Sequence, residues 1–149
     1  MKKNYIKIVF LLFLPFAFFG CTHYQSLTEL KTKIKPNELD KTVVEAKFAK
    51  VKHNILANAP RCFSTIYNVS GDCTVYTNTS TKLELACSRK MNDSYLGSSK
   101  TSVLLPYIKA EKVDNTHTEL TVYGGYYSII NTIVVEWATD VHQMCPSIL

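Results

Sequence analysis

The chain has 149 residues, 46% of them hydrophobic and 19% charged, with a formal net charge of +5 and five cysteines. This composition is globular and far from the disordered range, and the length suits a single domain. Lys and Arg are scattered along the chain, so it lacks the clustered basic footprint of a nucleic-acid-binding protein, and no nucleic-acid partner is expected.

Residues 1–20 read as an export signal. Lys2, Lys3 and Lys7 make a basic start, an apolar run extends from Ile8 to Phe19, and Gly20 precedes Cys21. The run is too short to cross a bilayer comfortably, since about 20 apolar residues are needed for about 30 Å of hydrocarbon. Losing this segment removes three bases and no acid. Fourteen bases then face twelve acids, the charge falls to +2, and the basic character of the whole chain says nothing about partners.

The sequence Phe18-Phe19-Gly20-Cys21 resembles a degenerate form of the lipid-modification site of bacterial lipoproteins. The resemblance implies cleavage after Gly20 and acylation of Cys21, with the membrane as the first partner. Thr22 stands where an Asp would favour inner-membrane retention, which implies the outer membrane with the domain facing the periplasm. The C-terminal half (Thr121-Val-Tyr, Trp137-Ala, Cys145-Pro) is similar to small uncharacterised bacterial lipoproteins, and this implies no activity.

Residues 21–35 are expected to form the lipid anchor and a polar tether, with Lys31, Lys33 and Lys35 at every second position and little to bury. Residues 36–149 are expected to form one domain. Asn37 suits the cap of a first helix, Glu38 and Asp40 suit its positive end, and Leu39, Val44, Phe48, Val51 and Ile55 form its apolar stripe. Asn58 and Pro60 are expected to stop it.

From Cys62 to Gly125 the pattern is β. Phe63, Ile66 and Tyr67 open an apolar stretch, Gly71-Asp72 reads as a turn, Val75 and Tyr76 lie in the next run, and residues 77–81 form a loop. Leu83, Leu85 and Cys87 alternate with Glu84, Ala86 and Ser88, the period of a half-buried strand. A polar loop is expected over residues 89–100. The apolar run from Val103 to Val113 is interrupted by Pro106, which signals an edge or a bulge. Asp114-Asn115 is a turn, and Leu120, Val122 and Tyr123 form a strand ending at Gly124-Gly125.

The last segment is rich in β-branched residues, yet its apolar positions 129, 130, 133, 134, 137, 138 and 141 fall in pairs every four. Periodicity therefore predicts a helix over residues 128–144, with Trp137 in its buried stripe and Pro146 beyond its end. The expected fold is α+β: a two-layer sandwich of four to five antiparallel strands with the N- and C-terminal helices on one face.

The five cysteines are an odd set. With Cys21 assigned to lipid, Cys62, Cys73, Cys87 and Cys145 form an even set in an oxidising compartment. Cys73 and Cys87 flank the loop at 77–81, so a hairpin brings them opposite each other. Cys62 and Cys145 follow the ends of the two helices, so parallel placement of those helices joins the pair.

Candidate chemistry is sparse. Asp72-Cys73-Thr74 superficially resembles the nucleophile motif of papain-like cell-wall peptidases, but a strand-like run follows Cys73 where that motif needs a helix. His117 and His142 sit in no partner motif, and His142-Gln-Met-Cys145 lacks the paired short spacings of a metal site. No cofactor or metal ligand set is expected. Tyr123, Tyr126 and Tyr127, around Gly124-Gly125, are a candidate contact surface for a glycan or protein. Asn68, Asn78 and Asn92 match a glycosylation pattern without implying modification in a bacterial lipoprotein.

The expected function is therefore a lipid-anchored, non-enzymatic binding or assembly module of the bacterial envelope, with another envelope protein as partner. The alternatives are a small envelope hydrolase using Cys73 or His117, and a carrier of a lipid or glycan fragment.

Overall fold

The computed structural model describes residues 24–67, 71–92, 100–124, 129–140 and 145. The elements run α1 (Leu27–Lys33), a 3₁₀ turn (Pro36–Glu38), β1 (Asp40–Val44), α2 (Phe48–Tyr67), β2 (Gly71–Asn78), β3 (Lys82–Asn92), β4 (Lys100–Lys112), β5 (Thr118–Tyr123) and α3 (Ile129–Thr139). The strands form one antiparallel sheet in the order β1-β5-β4-β3-β2. Strands β2 to β5 are a meander, and β1 pairs beside β5 to complete an α+β fold.

Both long helices lie on one face of the sheet. Val51, Ile55, Ala59 and Phe63 of α2 and Ile130, Ile133, Val134, Trp137 and Ala138 of α3 pack on Leu83, Leu85, Ile108, Ala110, Leu120 and Val122. The 3.6-residue period of α3 thus prevails over its β-branched composition, because alternate faces of a strand could not have buried those pairs together. Among the described residues of the expected stripe only Ile129 departs, being exposed at the helix start, and Val141 lies outside the described residues.

The first helix lies later in the chain than the sequence pattern predicts. Asn37 and Glu38 belong to the 3₁₀ turn, and Asp40–Val44 is an edge strand whose Thr42, Val43 and Val44 suit extended backbone. Val44 still enters the expected core, from a strand rather than a helix, while Val43 is 57% exposed. Thr118, on the neighbouring strand, donates its hydroxyl to the Ala46 carbonyl (2.9 Å) between β1 and α2.

Pro60 does not stop the helix. It lies inside α2, which continues to Tyr67 through the segment expected to open the sheet. An interior proline costs about 3 kcal/mol. Burying Phe63 returns about 1.5–3 kcal/mol, and Cys62, two residues past the proline, is buried and bridged to Cys145. Asn58 is likewise no terminator. Its amide donates to the carbonyls of Trp137 (3.3 Å) and Asp140 (2.8 Å), and Asn54 donates to Ala138 (3.1 Å). The last carbonyls of a helix lack intrahelical partners, so two buried asparagines of α2 close the end of α3.

Pro106 sits in β4, the central strand of the sheet, where Ala86 pairs with Tyr107 and Ser88 with Leu104. The register slips there by one residue. This is the bulge alternative, which leaves the missing proline N–H outside the ladder. The β3 and β4 strands also reach into the expected polar loop, to Asn92 and from Lys100.

The second face of the sheet is covered near one end. Residues 24–35, expected as a tether, carry helix α1, capped by the Ser26 hydroxyl accepting from the Glu29 amide (3.1 Å). Tyr24 (3% exposed) and Leu30 (1%) pack with Ala86, Leu104, Tyr107 and Tyr123. Leu27 and Ile34, both partly buried, pack against the same cluster.

Candidate functional site

Tyr24 is fixed at three points. Its carbonyl accepts from the Leu104 amide (2.9 Å), its hydroxyl donates to Glu38 (2.9 Å), and its ring meets that of Tyr123 edge-on at 5.3 Å. The export signal and Cys21 lie outside the described residues, and Tyr24 is where the described chain begins.

Beneath α1 is a buried polar cluster. Glu84 (2% exposed) accepts from the Tyr107 hydroxyl at 2.6 Å and the Thr77 hydroxyl at 3.2 Å, and pairs with the Lys31 ammonium at 2.5 Å. Burial pushes the Glu84 carboxyl up, but the Lys31, Tyr107 and Thr77 contacts outweigh it and hold the group below its ordinary range. Burial, then the adjacent carboxylate, push the Tyr107 phenol well above its ordinary value. Glu84 is therefore ionised and Tyr107 neutral at neutral pH. With all three donors engaged, the cluster ties α1 to β2, β3 and β4.

An open cleft of about 430 Å³ lies at the other end of the sheet, lined by Lys47, Phe48, Ala49, Ser80, Lys112, Asp114 and Asn115. It joins the start of α2 to the β2–β3 and β4–β5 turns. Asp114 is committed to its own turn. It accepts from the Thr116 amide (2.6 Å) and the His117 amide (2.7 Å), and its second oxygen lies 2.9 Å from His117 Nδ1. The Thr116 amide first, with His117 beside it, holds the Asp114 carboxyl well below its usual range. His117 thus serves the hairpin turn, with Thr116 Oγ1 at 3.0 Å from the same ring nitrogen.

The cysteines form two pairs, Cys62 with Cys145 (Cα atoms 4.9 Å apart) and Cys73 with Cys87, which are directly opposed in the β2–β3 register. In this state the sulfur of Cys73 is no thiolate nucleophile. Tyr123 does not fit a contact surface: it is buried against Tyr24 beneath α1, since residues 24–35 cover the face that a solvated sheet would expose. Tyr126, Tyr127 and His142 lie outside the described residues. Among the described residues, no three His, Cys, Asp or Glu come together in a group that could hold a metal ion, and no helix is long and apolar enough to cross a membrane. The space between the helices and the sheet, where a carried lipid or glycan fragment would lie, is filled by Phe63, Ile55, Ile108 and Trp137.

Sequence reasoning missed Glu84, Lys31 and Tyr107. Glu84 falls on the polar phase of an alternating strand, which reads as solvated, and Lys31 reads as part of the tether. The one available signal was Tyr24 and Leu30, apolar residues just ahead of the lysines. No family model and no curated protein matches the chain.

Proposed function

We propose that the chain is a bacterial lipoprotein, held by acylated Cys21 on the periplasmic side of the outer membrane, whose α+β domain is a binding or assembly module without catalytic activity. Cysteine parity carries this reading. Four of the five cysteines pair with each other within the domain, so Cys21, directly after a basic and apolar leader, is the thiol left for lipid. Several acyl chains anchor stably where a single chain binds only marginally.

The non-catalytic part is supported by what the candidate groups are doing: Cys73 is bridged, His117 and Asp114 close a turn, and Glu84 and Tyr107 hold α1. Two measurements test the proposal. Cys21→Ser should move the protein from the membrane fraction to the soluble periplasm, and unchanged membrane retention would refute the lipid anchor. Alkylation of the unreduced protein should find no reactive thiol, whereas labelling at Cys73 would favour the hydrolase alternative. Crosslinking in intact cells then identifies the partner.

A further inference from the structure

We propose that the domain stands end-on against the phospholipid surface, with the end of the sheet that receives Tyr24 against the head groups and the Lys47–Lys112 cleft pointing away. The proposal rests on acylation of Cys21.

Only Thr22 and His23 separate Cys21 from Tyr24. Three residue steps span at most about 11 Å of extended chain, and Tyr24 itself is pinned by its bonds to Leu104 and Glu38 and by the Tyr123 ring. Where a tether of some fifteen residues was expected, the leash is two residues long. Leu104 lies in the same row of the sheet as Ser88 and Asp72, one residue from the start of β2 and four from the start of β4, so this is the end of the sheet held close to the lipid. From Leu104, strand β4 runs on to Lys112, about 27 Å away at ~3.3–3.4 Å per residue. There the Lys112 amide donates to Thr81 (2.9 Å) and the Asp114–His117 turn closes the hairpin, beside the start of α2. The far end therefore lies beyond the reach of the leash.

Lying flat on the second sheet face would offer the bilayer only a weak net attraction. Each lysine near an anionic surface contributes about 1 kcal/mol. The far half of that face, however, sets its three lysines against two carboxylates, Lys109 and Lys82 sharing Glu111 (2.6 and 3.8 Å) and Lys41 beside Glu119 (3.9 Å), so only about one charge is left unmatched. Lys33 on α1 is matched by Glu29 (2.8 Å). The orientation is set by where the leash attaches, and the occupant of the near end is the lipid surface.

The test uses the full acylated chain, extracted from membranes and reconstituted in phosphatidylcholine–phosphatidylglycerol vesicles carrying a head-group nitroxide lipid. A fluorescent non-natural residue is placed singly at Gln25, Asp72, Ser80 or Asn115, all exposed positions. Quenching should be several-fold stronger at Gln25 and Asp72 than at Ser80 and Asn115. A Gly-Ser insert of about twelve residues between Thr22 and His23, adding roughly 20 Å of reach, should erase the difference. Equal quenching at both ends without the insert, or a difference that the insert leaves unchanged, would overturn the end-on placement. Intact mass of the same sample reports the acyl chains independently. A sample without them would refute the lipid anchor, while an acylated sample with equal quenching would refute only the orientation.

Discussion

Replacing Glu84 with Ala removes the acceptor at the centre of the buried cluster, and its consequences divide among three close donors, Lys82 at 3.9 Å being too distant and too exposed to add much. The Tyr107 hydroxyl, 2.6 Å from Glu84 and buried, has no other acceptor among the described residues; stranding it costs about 2 kcal/mol. Lys31 has a side chain 47% exposed, so losing its pair costs only about 0.5 kcal/mol after solvent screening. Thr77, at 3.2 Å, adds a similar amount. The total is about 3 kcal/mol. Tyr107→Phe removes a single hydrogen bond and leaves Glu84 with Lys31 and Thr77, costing about 1 kcal/mol. In the Tyr107→Phe background no hydroxyl is stranded, so Glu84→Ala adds only about 1 kcal/mol and the two changes couple by about 2 kcal/mol. Urea unfolding of the disulfide-intact domain reads each value as a midpoint shift at constant slope. Additivity of the two substitutions within about 0.5 kcal/mol would refute the assignment of the cost to a stranded phenol.

Asn58→Ala should destabilise the domain by about 2 kcal/mol, because the Trp137 and Asp140 carbonyls lose their donor; thermal unfolding checks it. Leu30→Ala should cost about 2–4 kcal/mol as a core truncation, whereas a true tether would tolerate it within experimental error in the same assay. Acidification should weaken the fold from Glu84: its carboxyl is depressed in the folded state, so its stabilisation is present above the ordinary value of 4.5 and is lost as pH falls below it. Urea midpoints across that range should fall less steeply for Glu84→Gln than for the native chain. Non-reducing peptide mapping should recover Cys62 with Cys145 and Cys73 with Cys87, and a Cys62–Cys73 peptide would contradict the placement of the helices.

The layer order was legible from periodicity wherever burial was one-sided. The pairs of apolar residues from Ile129 to Ala138 identify a helix despite their branching, and the alternation of Leu83, Leu85 and Cys87 identifies a strand. The boundary at residues 37–47 was not legible. Val44 keeps the same phase relative to Phe48 and Val51 whether it arrives from a helix or from a strand, and only its pairing with Thr118 decides between them. Pro60 misled for a related reason: local backbone cost is visible in the chain, but the burial of Phe63 and the bridge at Cys62 that offset it are not. The polar cluster was hidden by the convention that the polar phase of a strand faces water. Glu84 faces α1 instead, and the residues that cover it lie more than fifty positions earlier in the chain.

The pairing of early with late segments also governs when the domain can fold. Strand β1 finds its partner only in β5, about 80 positions later, and the two asparagines of α2 close onto the end of α3 at a similar distance. A chain emerging from its N-terminus therefore carries α2 with neither the helix that covers it nor the strand that completes the sheet beside β1. Contacts this distant in sequence form slowly, after the loop-closure entropy has been met. A nascent chain would thus stay open until nearly all of it had been made, which is the condition a protein needs in order to cross a membrane as an unfolded thread and acquire its shape on the far side.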